Sequence, residues 1–315
     1  MSKLFEALQK ASASNQQTDI SAVFLPGEVS EAPVAAAPLP AASEPAPVAG
    51  ETARVNAEER AAVPPLPEAA SVAPEFVHSA EPGYRSIKLQ LQRQIPALPF
   101  DGSEPRAAEQ YRIIRTRIAH HPRQPRICLV SSPSPGDGKT ITTLNIAASL
   151  ALKSGVTAVL VECDLRRSTI AARLGIPEEP GLAGVLEGTC NLDDAIVQVE
   201  EIPGFYVLPA GQAHANPTEL LDSMRWGDVC ADLRRKFQYA VLDSPPIGSV
   251  ADYELLQNSA DGVVVVVRPD HTNRARSRNA IESVPRDKLL GVVVNCAKEW
   301  FLHRPSNNYY YAEYR

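Results

Sequence analysis

The chain contains no uninterrupted apolar run near the ~18 residues that a membrane-spanning helix needs, and no apolar signal-peptide core at its N-terminus. These absences predict a soluble protein that stays in the cytoplasm. Cysteine is sparse and odd in number: Cys128, Cys163, Cys190, Cys230 and Cys296 are scattered, without C-x-x-C spacing. That argues against a disulfide framework or a zinc ribbon and predicts buried free thiols in a reducing compartment. Six histidines likewise show no ligand spacing. Aromatic residues make up 6% of the chain and do not interleave with a basic stripe. With a net charge of −6, nucleic acid is therefore not an expected partner. Arg274, Arg276 and Arg278 form a local basic cluster that reads as the solvated start of a helix.

What is present divides the 315 residues unevenly. About half of the 28 prolines precede Glu109, in Ala/Pro/Glu-rich runs that cannot assemble a core. Residues 13–100 are expected to be a disordered linker, most clearly over 13–82. Ahead of it, residues 1–12 carry a short helix over 2–10, with Leu4, Phe5, Leu8 and Ala11 on one face. Such a helix is too short to be stable alone, which leaves it either frayed or a docking peptide. Residues 85–93 alternate apolar and polar side chains, as an edge strand or a segment that extends on binding would. From 101 to 305, strand-like and helical patterns alternate at the spacing of βαβ units. The class is α/β, with a mostly parallel sheet flanked by helices. Residues 306–315 form a tyrosine-rich tail.

Residues 126–140 run from a β-branched strand into a loop that ends in Gly136, Asp137, Gly138, Lys139 and Thr140. This is the wiring of a phosphate cradle. Amides approach phosphate closely where no Cβ intervenes, Lys139 reaches the β- and γ-phosphates, and Thr140 ligates Mg²⁺. The following apolar run, 141–152, reads as a helix with its positive end on the anion. Pro133 stands where the full G-x-x-x-x-G-K-[ST] pattern has glycine. Pro135, Gly136, Asp137, Gly138, Lys139, Thr140 and Ile141 are the expected nucleotide-binding residues. A second apolar strand ends in Glu162 and Asp164, expected to face one point because strand side chains alternate. A third ends in Asp243, suited to hold Mg²⁺ directly or through water. Thr140, Asp164 and Asp243 are thus the expected metal set, at strand ends where open α/β sheets bind ligands.

The loop at 131–140, the Glu162-Cys163-Asp164-Leu165-Arg166-Arg167 segment and the Leu242-Asp243-Ser244-Pro245-Pro246 segment together resemble the bacterial tyrosine kinases, or BY-kinases, of exopolysaccharide assembly. Those are P-loop proteins related to the MinD and ParA ATPases. The resemblance covers about 109–315. A signature lysine of the MinD/ParA branch would fall at Ser134, and its absence counts against that branch. Tyr309, Tyr310, Tyr311 and Tyr314 match the tyrosine cluster that such kinases autophosphorylate. Glu109, Arg112 and Arg115 match the E-x-x-R-x-x-R pattern through which subunits assemble into a ring and offer each tail to a neighbour's active site.

The resemblance implies ATP and Mg²⁺ as cofactors and catalytic roles for Lys139, Glu162, Asp164 and Asp243. Glu162 would be the base that takes the tyrosine proton, one methylene longer than the family's usual aspartate. It also implies a transmembrane polysaccharide co-polymerase that activates the kinase and recruits it to the inner face of the membrane. Asn295, at the end of a late strand, is a candidate contact to the nucleotide base. Two other readings stay open: a MinD/ParA-like ATPase switch, and a nucleotide-binding adaptor of polysaccharide export without turnover.

Overall fold

The structure is a computed structural model that describes residues 83–90, 104–212 and 216–297, together with the backbone of Phe24 and Leu25. The expected N-terminal helix, most of the expected linker and the tyrosine tail lie outside the described residues. In chain order the elements are β1 (Phe24–Leu25), β2 (Arg85–Ile87), α1 (Pro105–Ala119), β3 (Ile127–Ser131), α2 (Lys139–Ala151), β4 (Ala158–Glu162), α3 (Ile170–Leu174), α4 (Leu182–Glu187), α5 (Leu192–Ala195), β5 (Val197–Val199), β6 (Phe205–Leu208), α6 (Pro217–Leu221), α7 (Met224–Lys236), β7 (Tyr239–Asp243), α8 (Asp252–Ser259), β8 (Gly262–Val267), α9 (Arg274–Ser283) and β9 (Leu289–Val294).

The strands make one sheet in the order β1-β9-β8-β3-β7-β4-β6-β5-β2. From β9 through β6 every pair is parallel. Only β1 on β9 and β5 on β6 run antiparallel. The central strands are continuous apolar runs because both faces are covered. Side chains alternate between two cores as a period of two requires. Ile127, Leu129, Val159, Val161, Val263 and Val265 pack against α4, α7 and α8. Cys128, Val130, Leu160, Val264 and Val266 pack against α1, α2 and α3, through Tyr111, Ile114, Leu144, Leu150 and Leu174 among others. Cys128, Cys163 and Cys230 are buried and all five cysteines are free, as their scattered spacing suggested.

Both sheet edges draw on the stretch expected to be linker. Arg85–Ile87 pairs with β5 in parallel, as an edge strand. The expected alternation ran on to residue 93, but the pairing stops at Ile87. Tyr84 anchors this edge, with its ring 5.1 Å from that of Tyr206 and 6.1 Å from that of Phe237. Residues 83–90 therefore belong with the domain, and the linker boundary at residue 100 falls too late. At the other edge, Phe24 and Leu25 pair with Val293 and Val292 and cover the open side of β9. Among the described residues, no helix is long and apolar enough to cross a membrane.

The strand order decides where chemistry can occur. β7, late in the chain, is inserted between β3 and β4, so the ends of these three strands lie side by side. Their C-terminal ends open at one crevice, the place where such sheets bind ligands.

Candidate active site

Between β3 and α2 the chain turns through Gly136 and Gly138, whose φ angles of 88° and 92° lie in the left-handed region. Gly138 is also the N-cap of α2, and no side chain caps that helix. The first-turn N–H groups and the positive end of a thirteen-residue helix are thereby left for an anion. A Cβ at Gly138 would collide with the Asn295 amide, and the φ angle there strains any L side chain. Gly138→Ala is therefore expected to weaken Mg-ADP binding about ten- to a hundredfold, the effect of ~1–3 kcal/mol of backbone strain. Calorimetric titration would read it, and adding Asn295→Ala should not restore binding, since the backbone strain persists and the Asp137 carbonyl loses its donor.

Lys139 opens α2 and its ammonium lies between two carboxylates, 3.2 Å from Asp164 Oδ2 and 3.6 Å from Asp243 Oδ1. Thr140 Oγ1 is 3.3 Å from the same ammonium. Thr143, which the sequence reading did not single out, donates from Oγ1 to Lys139 O (2.7 Å), and the same hydroxyl lies 3.3 Å from Asp243 Oδ1. Its signal was its position one helical turn after Lys139. Burial works against the charge on Lys139, but Asp243 and Asp164 hold its pKa above the ordinary lysine value. Burial raises the Asp243 carboxyl above the usual carboxylate range, against the pull of Lys139.

Thr140, Asp164 and Asp243 are thus brought together as expected. Among the described residues no three His, Cys, Asp or Glu are spaced to hold a metal by themselves. Two carboxylates and a hydroxyl are nevertheless the hard oxygen donors that suit Mg²⁺, which commonly completes its shell with water and phosphate oxygens. The residues present fit that ion.

Glu162 departs from expectation. It is the last residue of β4, 1% exposed and in register with Asp243. It does not share a free point with Asp164. Its Oε1 accepts the backbone N–H groups of Thr169 and Ile170 at the start of α3, and its Oε2 accepts that of Ala210 after β6. Strand alternation ends with β4, so Asp164 turns to Lys139 while Glu162 turns to these amides. Burial pushes the Glu162 carboxyl up to about 7, despite the amide donors.

Two other expected site residues are placed differently. Asp137 is wholly buried, and its carboxylate faces the loop's interior and residues 271–272. Only its backbone is placed to meet a phosphate. Asn295 donates to Asp137 O at 2.9 Å and accepts from Cys296 N–H, so its amide serves the loop backbone. Sequence reasoning also passed over Arg166, which grips the buried Asp252 through two bonds of 2.8 and 3.2 Å and reaches Thr218. That network ties the segment after Asp164 to α6 and α8. On α1, Glu109 and Arg112 pair with each other at 3.0 Å on the exposed surface, whereas Arg115 turns to Ser149 O on α2.

No family model matches the chain. It is 33% identical to the tyrosine-protein kinase YwqD of Bacillus subtilis over 215 residues, which cover 66% of this chain and 88% of that protein. The chain belongs to the bacterial tyrosine-protein kinases. The tyrosine-protein kinase CpsD of Streptococcus pneumoniae serotype 4 is 32% identical over 193 residues, 60% of this chain and 84% of that one. Among solved structures, the VpsO kinase domain superposes with a TM-score of 0.56 at 31% identity, covering 63% of this chain and all of that one. The chimerical protein CapA2B2 gives 0.59 at 26% identity, over 65% and 90%. The chain is therefore a protein-tyrosine kinase on a P-loop α/β fold, and the crevice at Lys139 is its candidate active site.

Proposed function

We propose that this kinase uses ATP and Mg²⁺ to phosphorylate Tyr309, Tyr310, Tyr311 and Tyr314 of a neighbouring copy, and so regulates assembly or export of an extracellular polysaccharide. The observation that carries the reading is Lys139 held between Asp164 and Asp243 at an uncapped helix N-terminus. Phosphoryl transfer passes through a loose transition state that needs positioning and charge stabilisation more than covalent help. The loop amides and the start of α2 hold the phosphates. Lys139, now between the two carboxylates, would bind the transferring phosphoryl oxygens, and Thr140, Asp164 and Asp243 would hold the cation. Mg²⁺, when bound, supplies neutralisation of the charge on the phosphate oxygens. A transition state of this kind asks little of a base, which fits a Glu162 engaged with backbone amides.

Ring assembly through Glu109, Arg112 and Arg115 fits their placement on α1. The exposed Glu109–Arg112 pair contributes only ~0.3–0.5 kcal/mol, so it is cheaply exchanged for contacts to another subunit. Each added phosphate would bring about −1.5 to −2 charges, so a fully modified tail repels itself and leaves the site. The activator would be a transmembrane polysaccharide co-polymerase that holds the kinase at the inner face of the membrane. The chimerical protein CapA2B2 is the neighbour that motivates this partner.

Incubating the full chain with Mg-ATP, with and without a co-polymerase cytoplasmic tail, and mapping phosphate by mass spectrometry tests the proposal. Phosphate is expected on the four tail tyrosines. It should also pass from a donor chain whose tail tyrosines are phenylalanine to an acceptor chain carrying Lys139→Met. Hydrolysis without phosphotyrosine would instead support an ATPase switch, and nucleotide binding without turnover an export adaptor.

A further inference from the structure

An acid inside a phosphate-binding loop is electrostatically out of place, because a carboxylate near bound phosphate weakens binding. Asp137 occupies that position, yet it is 0% exposed. Its Oδ2 accepts the Ser134 N–H at 2.9 Å, closing the loop on itself. Its Oδ1 accepts the Thr272 hydroxyl at 2.6 Å and lies 3.1 Å from His271 Nδ1. Thr272 and His271 belong to the segment between β8 and α9, more than 130 residues away in sequence.

This segment and the first turn of α9 touch the loop at three more points. Arg276 Nε donates to Pro133 O at 3.0 Å, and Arg268 donates to Gly136 O at 3.4 Å. The His271 ring lies where a side chain at Gly136 would go, 2.9 Å from an ideal Cβ. From the end of β9, Asn295 pins the Asp137 carbonyl. A trans peptide carries its C=O and the next N–H on opposite sides. Pinning the carbonyls of Gly136 and Asp137 therefore turns the amides of Asp137 and Gly138 the other way, as anion donors.

We propose that Asp137 is a positioning residue of the kinase: with residues 268–276 as a clasp, it locks the phosphate loop in its anion-binding form before nucleotide arrives. The lock accounts for an order in this loop that does not depend on glycine at 133. It rests on reading the loop as the phosphate cradle. The loop residues that touch nucleotide would then owe their affinity in part to Thr272, which touches none.

The test uses the full chain, with Asp137→Ala, Thr272→Val, Thr272→Ser and the Asp137→Ala/Thr272→Val double variant. The dissociation constant for Mg-ADP, the KM for Mg-ATP, kcat for tail phosphorylation and the melting temperature are measured for each. Thr272→Val is expected to weaken Mg-ADP binding and raise KM about tenfold, the effect of one lost charge-assisted hydrogen bond, and Asp137→Ala, which also loses the Ser134 N–H and the His271 contact, at least as much, with kcat falling less than about threefold in both. The double variant should bind no worse than Asp137→Ala, because the two changes break one link. Thr272→Ser, which keeps the hydroxyl, should bind like the parent.

Tighter binding in Asp137→Ala would overturn the proposal, because the carboxylate would then merely repel phosphate. A lowered melting temperature with unchanged affinity would overturn it too, as would additive effects in the double variant. If Asp137→Ala does not fold, the contrast between Thr272→Val and Thr272→Ser decides alone. A Lys139→Met chain that binds and transfers like the parent would instead defeat the cradle reading, leaving the lock without an object.

Discussion

Lys139→Met is expected to reduce phosphate incorporation into the tail about 10²- to 10³-fold, the usual cost of removing one preorganised charge-stabilising group. The same change should leave a second trace. In the structure Lys139 is the counter-ion of Asp164 and Asp243, whose side chains are 7% and 2% exposed. Breaking a buried pair by deleting one partner costs ~3–5 kcal/mol, because the remaining charge is left uncompensated. Asp243 already sits above the ordinary carboxylate range through burial, and losing Lys139 removes the main influence that lowers it. A carboxyl raised in the folded state contributes stability that is fully present below its unfolded pKa and lost as pH rises through the folded one. The deficit of Lys139→Met against the parent should therefore be smaller at pH 5 than at pH 8. Urea unfolding at the two pH values, in EDTA and without nucleotide, measures it. An equal deficit at both would show that Lys139 does not neutralise this pair.

Glu162→Ala is expected to destabilise the domain by about 3 kcal/mol or more near pH 5, with a smaller deficit at pH 8, where the parent's buried carboxyl is itself charged. It strands three backbone donors, those of Thr169, Ile170 and Ala210, at ~1–3 kcal/mol each if water cannot reach them. Glu162→Gln separates that tie from proton chemistry. The amide resembles the protonated acid, keeping one acceptor oxygen and placing N–H where the acid has its proton. Burial holds the Glu162 carboxyl at about 7, against an ordinary value of 4.5. Its stabilising contribution is thus complete below about 4.5 and is lost as pH rises through about 7, a difference of about 3 kcal/mol. Glu162→Gln should be less stable than the parent near pH 5, because its NH2 group cannot accept the Ala210 N–H, and should close that gap toward pH 8, where the parent's carboxyl is charged. It should also keep tail phosphorylation within about tenfold. A loss of 10²-fold or more would return Glu162 to the role of general base that the family resemblance assigned it.

The phosphate loop was legible because its chemistry is local. Gly136, Gly138, Lys139 and Thr140 are adjacent in the chain, and the helix that presents them begins at once. The strands were legible for a similar reason, since β8 is five valines after a glycine and needs both faces covered. Asp243 stood out because it is a carboxylate at the end of such a strand. Glu162 misled because alternation along a strand says which residues share a side, but not which amides wait there. The donors at Thr169 and Ala210 come from α3 and from the end of β6. The edge strands were partly hidden, since Phe24–Leu25 is two residues within an Ala/Pro-rich tract and its pairing exists only opposite β9.

By itself, then, the sequence determined the class of fold, the phosphate cradle and the carboxylates at strand ends, because each is written in spacing along a few consecutive residues. Tertiary structure decided how those groups are used. It set Lys139 between Asp164 and Asp243, turned Glu162 onto three backbone amides, and closed residues 268–276 over the loop at Asp137. All of these contacts depend on β7 lying between β3 and β4, and β8 beside β3. That order is a property of how the strands pack, and no local periodicity encodes it.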